Sequence, residues 1–245
     1  MLRRGLGADD GAHLRVVVAG VSRPLARSGA RIVPDLIQQA EARGVLRQTV
    51  AEWPHKEFQL QQCDALVGET ETFLYEGDAR SAADILERQW PGLARANLLG
   101  LQFYRILMTG LRGRVNLTRA RDTHGCAAKR LLRSARRDAG RLVKQKAQWA
   151  FGLGSLLEAG AATVEQRPDV AMRHLHAAQT CFAASRMEHY LAATRLRMFQ
   201  LDHRHTAEYD LAMQWMREQG IVAHARIADM LAPGLYPSLT PSHPS

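Results

Sequence analysis

The chain has 245 residues, of which 46% are hydrophobic, and this content excludes an intrinsically disordered protein. The length fits one domain or one run of helical repeats. A low aromatic content (6%) with abundant Ala, Leu and Arg favours helices over strands. The formal net charge is +9, and it comes from one segment, because residues 112–146 contain twelve Arg and Lys against two Asp.

The cysteines and the N-terminal stretch bear on the cellular compartment. Cys63, Cys126 and Cys181 are odd in number and far apart, so the sequence offers no disulfide framework and favours a reducing cytoplasm. The apolar run at residues 16–21 is flanked by arginines and is too short for a signal peptide or a spanning helix. We therefore expect a cytoplasmic protein that does not enter a membrane.

The sequence divides into three predicted regions. Residues 1–30 have weak hydrophobic periodicity and several glycines, which indicates an irregular or incomplete lead-in. Residues 31–234 form the predicted helical-repeat domain, which opens with an amphipathic helix at residues 31–43. Residues 235–245 are rich in proline and predict a disordered tail.

The first predicted hairpin pairs a helix at residues 57–75 with a helix at residues 79–90. Between them, Gly77 suits the left-handed position after a helix, and Asp78 can cap the next helix. Pro91 is then expected to open a long helix as a first-turn residue. Large apolar residues cover most of that helix, which predicts a place inside the stack. They are Leu98, Leu99, Leu101, Phe103, Tyr104, Ile106, Leu107 and Met108.

A basic helix is predicted at residues 126–146, after a loop at residues 122–125. The residues expected to face inward are Ala127, Leu131, Leu132, Ala135, Ala139 and Leu142. Positive side chains recur on a different face at spacings of three and four residues, so they form one line along the helix. This basic face consists of Arg130, Arg133, Arg137, Arg141 and Lys144.

Residues 149–182 form the central predicted hairpin, in which two amphipathic helices are separated by a break around Pro168. Pro168 suits the first turn of the second helix, and Asp169 interacts favourably with the positive end of that helix. Small residues, including Gly152 and Gly154, let the two helices approach closely. The alanines expected where the helices cross are Ala159, Ala171 and Ala178.

The last predicted helices span residues 187–201, 207–219 and 221–231. The apolar face of the second of these is marked by Leu211, Trp215 and Met216. One helical hairpin cannot bury its own apolar face, so hairpins of this design need neighbours. The expected fold is all-α: a tetratricopeptide-like antiparallel helix-hairpin array, an α-solenoid of about nine or ten helices.

No catalytic, cofactor-binding or metal-binding residue is predicted. The Gly-x-Gly pairs lack the Gly-Lys-Ser/Thr sequence of a phosphate-binding loop. His174 and His176 are two residues apart on a predicted helix and therefore point in different directions. His203 and His205 lie in a predicted loop and could share a metal, but zinc would need further ligands. The cysteines have no positioned base, so we expect them to be buried or half-buried small hydrophobic residues.

Several phrases in residues 31–234 resemble one protein family. They are EFQLQQCDAL, FLYEGD, RQWPGLARANLLGLQFYRI, and WMREQGI followed by RIADMLAPG. These phrases are similar to the C-terminal helical region of large bacterial serine/threonine protein kinases of the tetratricopeptide-containing type. The glycine-rich loop, His-Arg-Asp and Asp-Phe-Gly motifs of a kinase domain are absent from this sequence. The resemblance therefore implies a scaffold or sensor segment without catalytic residues, either a separate module or a fragment of a longer kinase.

The basic face has three interpretations: a solvated helix face, a site for an acidic protein partner, or a site for nucleic acid. Phosphate backbone needs charge and little else, but interleaved aromatics and a clear helix-turn-helix signature are missing, which disfavours nucleic acid. We expect a non-catalytic protein-interaction or sensor module associated with bacterial serine/threonine kinase signalling. The alternative is the helical-repeat part of an ATP-dependent transcription regulator, with a basic face that contacts nucleic acid.

Overall fold

The structure of the protein is a computed structural model, which describes residues 60–234. The predicted lead-in, the predicted helix at residues 31–43 and the predicted proline-rich tail lie outside the described residues. Within residues 60–234 the chain forms nine α-helices and no strand, which confirms the all-α prediction. In the same range, no helix combines the length and the apolarity needed to cross a bilayer.

The helices are numbered here in chain order. They are α1 Leu60–Glu76, α2 Ala79–Arg95, α3 Gln102–Arg121, α4 Gly125–Val143, α5 Gln148–Val164, α6 Pro168–Ser185, α7 Glu188–Leu201, α8 Thr206–Glu218 and α9 His224–Leu231. A short 3-10 helix at Leu98–Gly100 precedes α3.

From α1 to α8, each helix packs against the next helix in the chain, which confirms the predicted hairpin array. The long helix α3 also contacts α1 and α5. The last helix, α9, turns back and packs against α7 and α1. In an open solenoid each repeat contacts only its neighbours, whereas here α9 joins the two ends of the described chain. The described helices therefore form a closed array, and the solenoid part of the expectation is not confirmed.

Two hairpin turns follow the local signals in the sequence. Gly77 has φ +82, and the side chain of Asp78 accepts a hydrogen bond from the Ser81 backbone N–H at 3.0 Å. A left-handed residue therefore ends α1, and an Asp cap begins α2. Helix α6 begins at Pro168 with Asp169 in its first turn, as predicted.

The predicted role of Pro91 is wrong. Pro91 lies inside α2, which continues to Arg95, and the long helix begins only at Gln102. Pro91 is exposed, while Leu93 in the same turn is fully buried, so packing of the last turn of α2 outweighs the lost N–H. The chain then turns at Asn97, which has φ +55.

Helix α3 lies at the centre of the array, as predicted, but not along its whole length. Ile106, Met108 and Leu111 are at most 1% exposed. Leu101 and Phe103, which were expected inside the stack, are 51% and 36% exposed. They lie at the N-terminal end of α3, where Phe103 contacts Trp149 of α5 with ring centres 6.0 Å apart but keeps part of its surface exposed.

Close packing of the central hairpin is confirmed. Ala159, Ala171 and Ala178 are fully buried. A Cβ at Gly152 would lie 2.8 Å from Phe182 Cε1 in α6. A Cβ at Gly154 would lie 2.9 Å from the Ala139 carbonyl oxygen in α4. Helix α5 therefore uses glycine to approach a helix on each side.

Two residues expected to face inward are exposed, and one helix is shorter than predicted. Ala127 is exposed in the first turn of α4, and Leu211 is 48% exposed on α8. Because α8 packs mainly against α7 alone, only a narrow face, including Ala212 and Met216, is buried. The last helix begins at His224 rather than at residue 221.

Candidate functional site

Helix α4 presents the predicted basic face to solvent. The five side chains of this face are all exposed: Arg130, Arg133, Arg137, Arg141 and Lys144. Four of them lie within α4, and Lys144 is the residue that ends the helix. At 1.5 Å per residue, the face runs for about 21 Å along the helix. The opposite side of α4 is buried through Leu132, Ala135, Ala139 and Leu142.

Most of the basic face carries charge that no acidic side chain of residues 60–234 neutralises. Arg130, Arg133 and Arg137 have no acidic side chain of residues 60–234 within ion-pair distance, and neither does Lys144. The guanidinium Nε of Arg133 makes only a long bond of 3.4 Å to the Lys129 carbonyl oxygen. Arg141 differs, because it donates to Asp138 at 3.0 Å.

Arginines on other sides of α3 and α4 are paired. Arg112 donates two hydrogen bonds, of 2.9 and 2.6 Å, to the buried carboxylate of Asp138, and its guanidinium lies 4.2 Å from the centre of the Trp90 ring. Arg136 donates two bonds of 2.7 Å to Glu165, and these bonds hold the pKa of that carboxyl below its usual range. Among the arginines of α4, those without an acidic partner in residues 60–234 therefore all lie on the basic face.

Four arginine side chains border a cleft on this helix that is open to solvent. The cleft has a volume of about 450 Å³ and is lined by Arg130, Arg133, Arg136 and Arg137. Arg136, which was not assigned to the basic face, enters the cleft from its α5 side, where it also contacts Glu158 at 3.3 Å. We call these four residues the arginine cleft.

A second charged cluster lies in the interior and was missed by sequence reasoning. Arg114 in α3 donates to Glu71 in α1 at 2.6 Å and to the Met230 carbonyl oxygen in α9 at 3.1 Å. Its guanidinium carbon lies 5.9 Å from the centre of the Tyr190 ring. Burial raises the pKa of Tyr190 to about 12. Burial, followed by the charge of Arg114, lowers the pKa of the neighbouring His189 to about 4.

Arg197 in α7 completes this arrangement at the end of α9. Its Nε donates to the Ala232 carbonyl oxygen at 3.0 Å, and the side chain also pairs with Asp229. The last carbonyls of a helix lack partners within the helix, and here two buried arginines, Arg114 and Arg197, supply donors to this end of α9. We interpret the interior cluster as the connection that closes the array.

Three of the histidines singled out in the sequence make distinct side-chain contacts in the structure. His176 in α6 and His205 before α8 have ring centres 5.6 Å apart, and His205 Nδ1 lies 3.6 Å from Glu208. His203 instead packs against Phe199, with ring centres 4.9 Å apart. Among residues 60–234, no three His, Cys, Asp or Glu side chains come together as a metal site.

The cysteines occupy three different environments and are all free. Cys63 is fully buried, and burial raises the pKa of its thiol to about 12. Cys181 is half-buried, as expected. Cys126 is exposed, so the expectation of burial is wrong there: it lies in the first turn of α4, where residues 124–127 are all exposed.

Comparisons with known proteins gave no match: no protein-family model matches the sequence, and no curated protein or solved structure is significantly similar to it. The chain is therefore placed by its architecture, a closed array of helical hairpins with a basic face on α4, and no family is shown.

Proposed function

We propose that the protein is an interaction module that recruits an acidic protein partner to the basic face of α4. The single observation that carries this proposal is the line of five exposed basic side chains on α4, in which every member except Arg141 has no acidic partner within residues 60–234. An unpaired charged line attracts an oppositely charged surface and speeds its association. Placing the module in bacterial serine/threonine kinase signalling rests on the resemblance of residues 31–234 alone, and the proposal includes no catalytic step.

An acidic protein suits this face better than nucleic acid does. Helix α4 has no aromatic residue, so it offers no platform on which bases could stack. The charge lies along one helix over about 21 Å, which fits within an ordinary protein interface of about 800 Å² per partner. The rigid packing of α4 against α3 and α5 would hold the side chains in register for such a partner.

A binding measurement with a charge-reversed variant tests the proposal. The probe is a fluorescently labelled glutamate-rich peptide, and its anisotropy is followed at low and at moderate salt. We expect saturable binding by the wild type and a loss of about tenfold or more in affinity for Arg133→Glu/Arg137→Glu. The control variant, Arg88→Glu/Arg173→Glu, changes two exposed arginines on α2 and α6 and alters the net charge equally.

The control shows whether the peptide binds at the basic face or is attracted by the net charge of the whole protein. If both double variants weaken binding equally, net charge rather than the basic face attracts the peptide, and the proposal is wrong. If the wild type does not bind the peptide but binds duplex DNA, and only the α4 variant abolishes DNA binding, the nucleic-acid alternative replaces the acidic-partner proposal.

A further inference from the structure

The arginine cleft concentrates guanidinium groups in a short stretch of one helix. Arg130, Arg133, Arg136 and Arg137 lie within eight consecutive residues of α4, which span about 10 Å along the helix axis. The cleft is open to solvent, and the space of about 450 Å³ between its side chains leaves room for a charged group. The cleft is therefore large enough for one charged group together with the atoms that carry it.

The guanidinium groups of the cleft differ in how firmly they are held. Arg136 is fixed by two bonds of 2.7 Å to Glu165 and one of 3.3 Å to Glu158. These two carboxylates neutralise the charge of Arg136, so Arg136 lines one side of the cleft without attracting the ligand. The other three arginines have no acidic partner within residues 60–234, and their planar N–H forks are available.

The chemistry of the cleft favours phosphate over carboxylate. A guanidinium group donates two parallel hydrogen bonds to a pair of phosphate oxygens, and a phosphoryl group has three such oxygens with a charge of about −2. A carboxylate has two oxygens and a single charge, so it can engage fewer of the three free forks. Three arginines that line one cleft without an acidic partner in residues 60–234 therefore match one phosphoryl group better than one glutamate.

We infer that the arginine cleft binds a phosphorylated serine or threonine side chain of the acidic partner. This inference rests on the proposed function and specifies its ligand. A phosphorylated side chain fits better than a nucleic acid, because the arginines of the cleft occupy about 10 Å of helix and α4 contains no aromatic residue.

Three labelled peptides of one acidic sequence test the inference. The first contains a single phosphoserine, the second has serine at that position, and the third has two glutamates there to match the charge. We expect the phosphorylated peptide to bind wild-type protein about tenfold more tightly than the two-glutamate peptide, the size expected for a gained bidentate contact. Inorganic phosphate should compete with the phosphorylated peptide for the arginine cleft.

A charge-conserving variant separates geometry from charge. Arg133→Lys/Arg137→Lys keeps the charge but removes two guanidinium forks, so the preference for phosphate should fall to about twofold or less while the two-glutamate peptide still binds. The matched control, Arg88→Lys/Arg173→Lys, should keep the full preference. Circular dichroism of each variant checks that the helices are retained.

Each other result overturns the inference in a recognisable way. Equal affinity for the phosphorylated and two-glutamate peptides would mean that α4 senses charge only, and the proposed function would stand without this ligand. A retained preference in the lysine variant would place the phosphate elsewhere. Failure of all three peptides to bind would overturn both the inference and the proposed function, and tighter binding of single-stranded DNA would favour nucleic acid instead.

Discussion

Arg114 and Arg197 bring positive charge into the interior at the place where α9 meets the rest of the array. Both side chains are at most 3% exposed, and both donate to backbone carbonyls at the end of α9. Arg114 also pairs with buried Glu71, so its removal would leave a carboxylate without a counter-charge. Breaking such a buried pair is much more costly than losing an exposed arginine.

The substitution Arg114→Met tests this role. We expect it to lower the free energy of unfolding by about 3–5 kcal/mol, because Glu71 stays buried and unpaired. The control Arg130→Met on the exposed face should change stability by less than about 0.5 kcal/mol. Urea unfolding followed by circular dichroism measures both.

A second variant tests whether the buried, unpaired carboxylate of Glu71 causes the loss of stability. Adding Glu71→Leu to Arg114→Met removes the orphaned charge, so part of the lost stability should return. If Arg114→Met unfolds at the same urea concentration as Arg130→Met, the ion pair between Arg114 and Glu71 does not hold the array together.

At the scale of single residues, the sequence indicated which arginines share a helix face but not which ones are paired. The spacing from Arg130 to Lys144 predicted the basic face, because helical periodicity is a local property. Arg114 could not be recognised as buried, because its partners Glu71 and Met230 lie 43 and 116 residues away in the chain.

Helix α5 shows how glycine sets the distance between elements. Gly160 faces the turn after α9, where a Cβ would overlap the Pro233 carbonyl oxygen and lie 2.9 Å from Leu117 Cδ1. Gly140, in the last turn of α4, meets no atom of residues 60–234 within 4 Å of the same Cβ position, apart from its chain neighbours and its own helix backbone. The two glycines therefore occupy similar helical backbones but opposite packing environments.

This contrast predicts opposite effects of one substitution. Gly160→Ala should destabilise the protein by about 1–3 kcal/mol, because a backbone carbonyl must move. Gly140→Ala should stabilise it by about 0.5–1 kcal/mol, because alanine favours the helix and meets no neighbour. Thermal unfolding of the two variants, measured in parallel, provides the comparison. A stabilised Gly160→Ala would contradict the packing of the C-terminal turn on α5.

At the scale of elements, turn chemistry was the dependable signal and helix beginnings were not. Gly77-Asp78 and Pro168 act through their own backbone and side chains, so the sequence located both turns. Pro91 gave the wrong beginning for α3, because burial of Leu93 extends α2 past it. Packing of that kind depends on residues distant in sequence and leaves no local signal.

At the scale of the whole molecule, α9 closes the array of described helices, and α4 carries an exposed positive charge. Helix α9 closes it by contacts with α1 and α7, and Arg226 lies 5.8 Å from the centre of the Tyr75 ring. Hairpin patterns cannot reveal this contact, because the sequence of α9 resembles that of any short amphipathic helix. The charge asymmetry, in contrast, was visible from composition, since residues 112–146 hold the excess of arginine and lysine.

Under the proposed function, the outer basic face rather than the interior of the array contacts the partner. The interior positions around Arg114 are filled by α9, whereas Arg130, Arg133 and Arg137 are exposed. Screening should weaken the attraction as salt rises, over a distance near 10 Å at 0.1 M. The proposed function therefore depends most on the peptide binding at the basic face of α4.

Chemical-shift mapping with a glutamate-rich peptide tests this claim most directly. Backbone amide spectra of ¹⁵N-labelled protein are recorded as the peptide is added. The account predicts that the largest shifts occur at α4, around Arg130, Arg133 and Arg137, and that α9 and its contacts with Arg114 and Arg197 stay unchanged. Shifts centred on α9 and the interior cluster, with α4 unaffected, would contradict it.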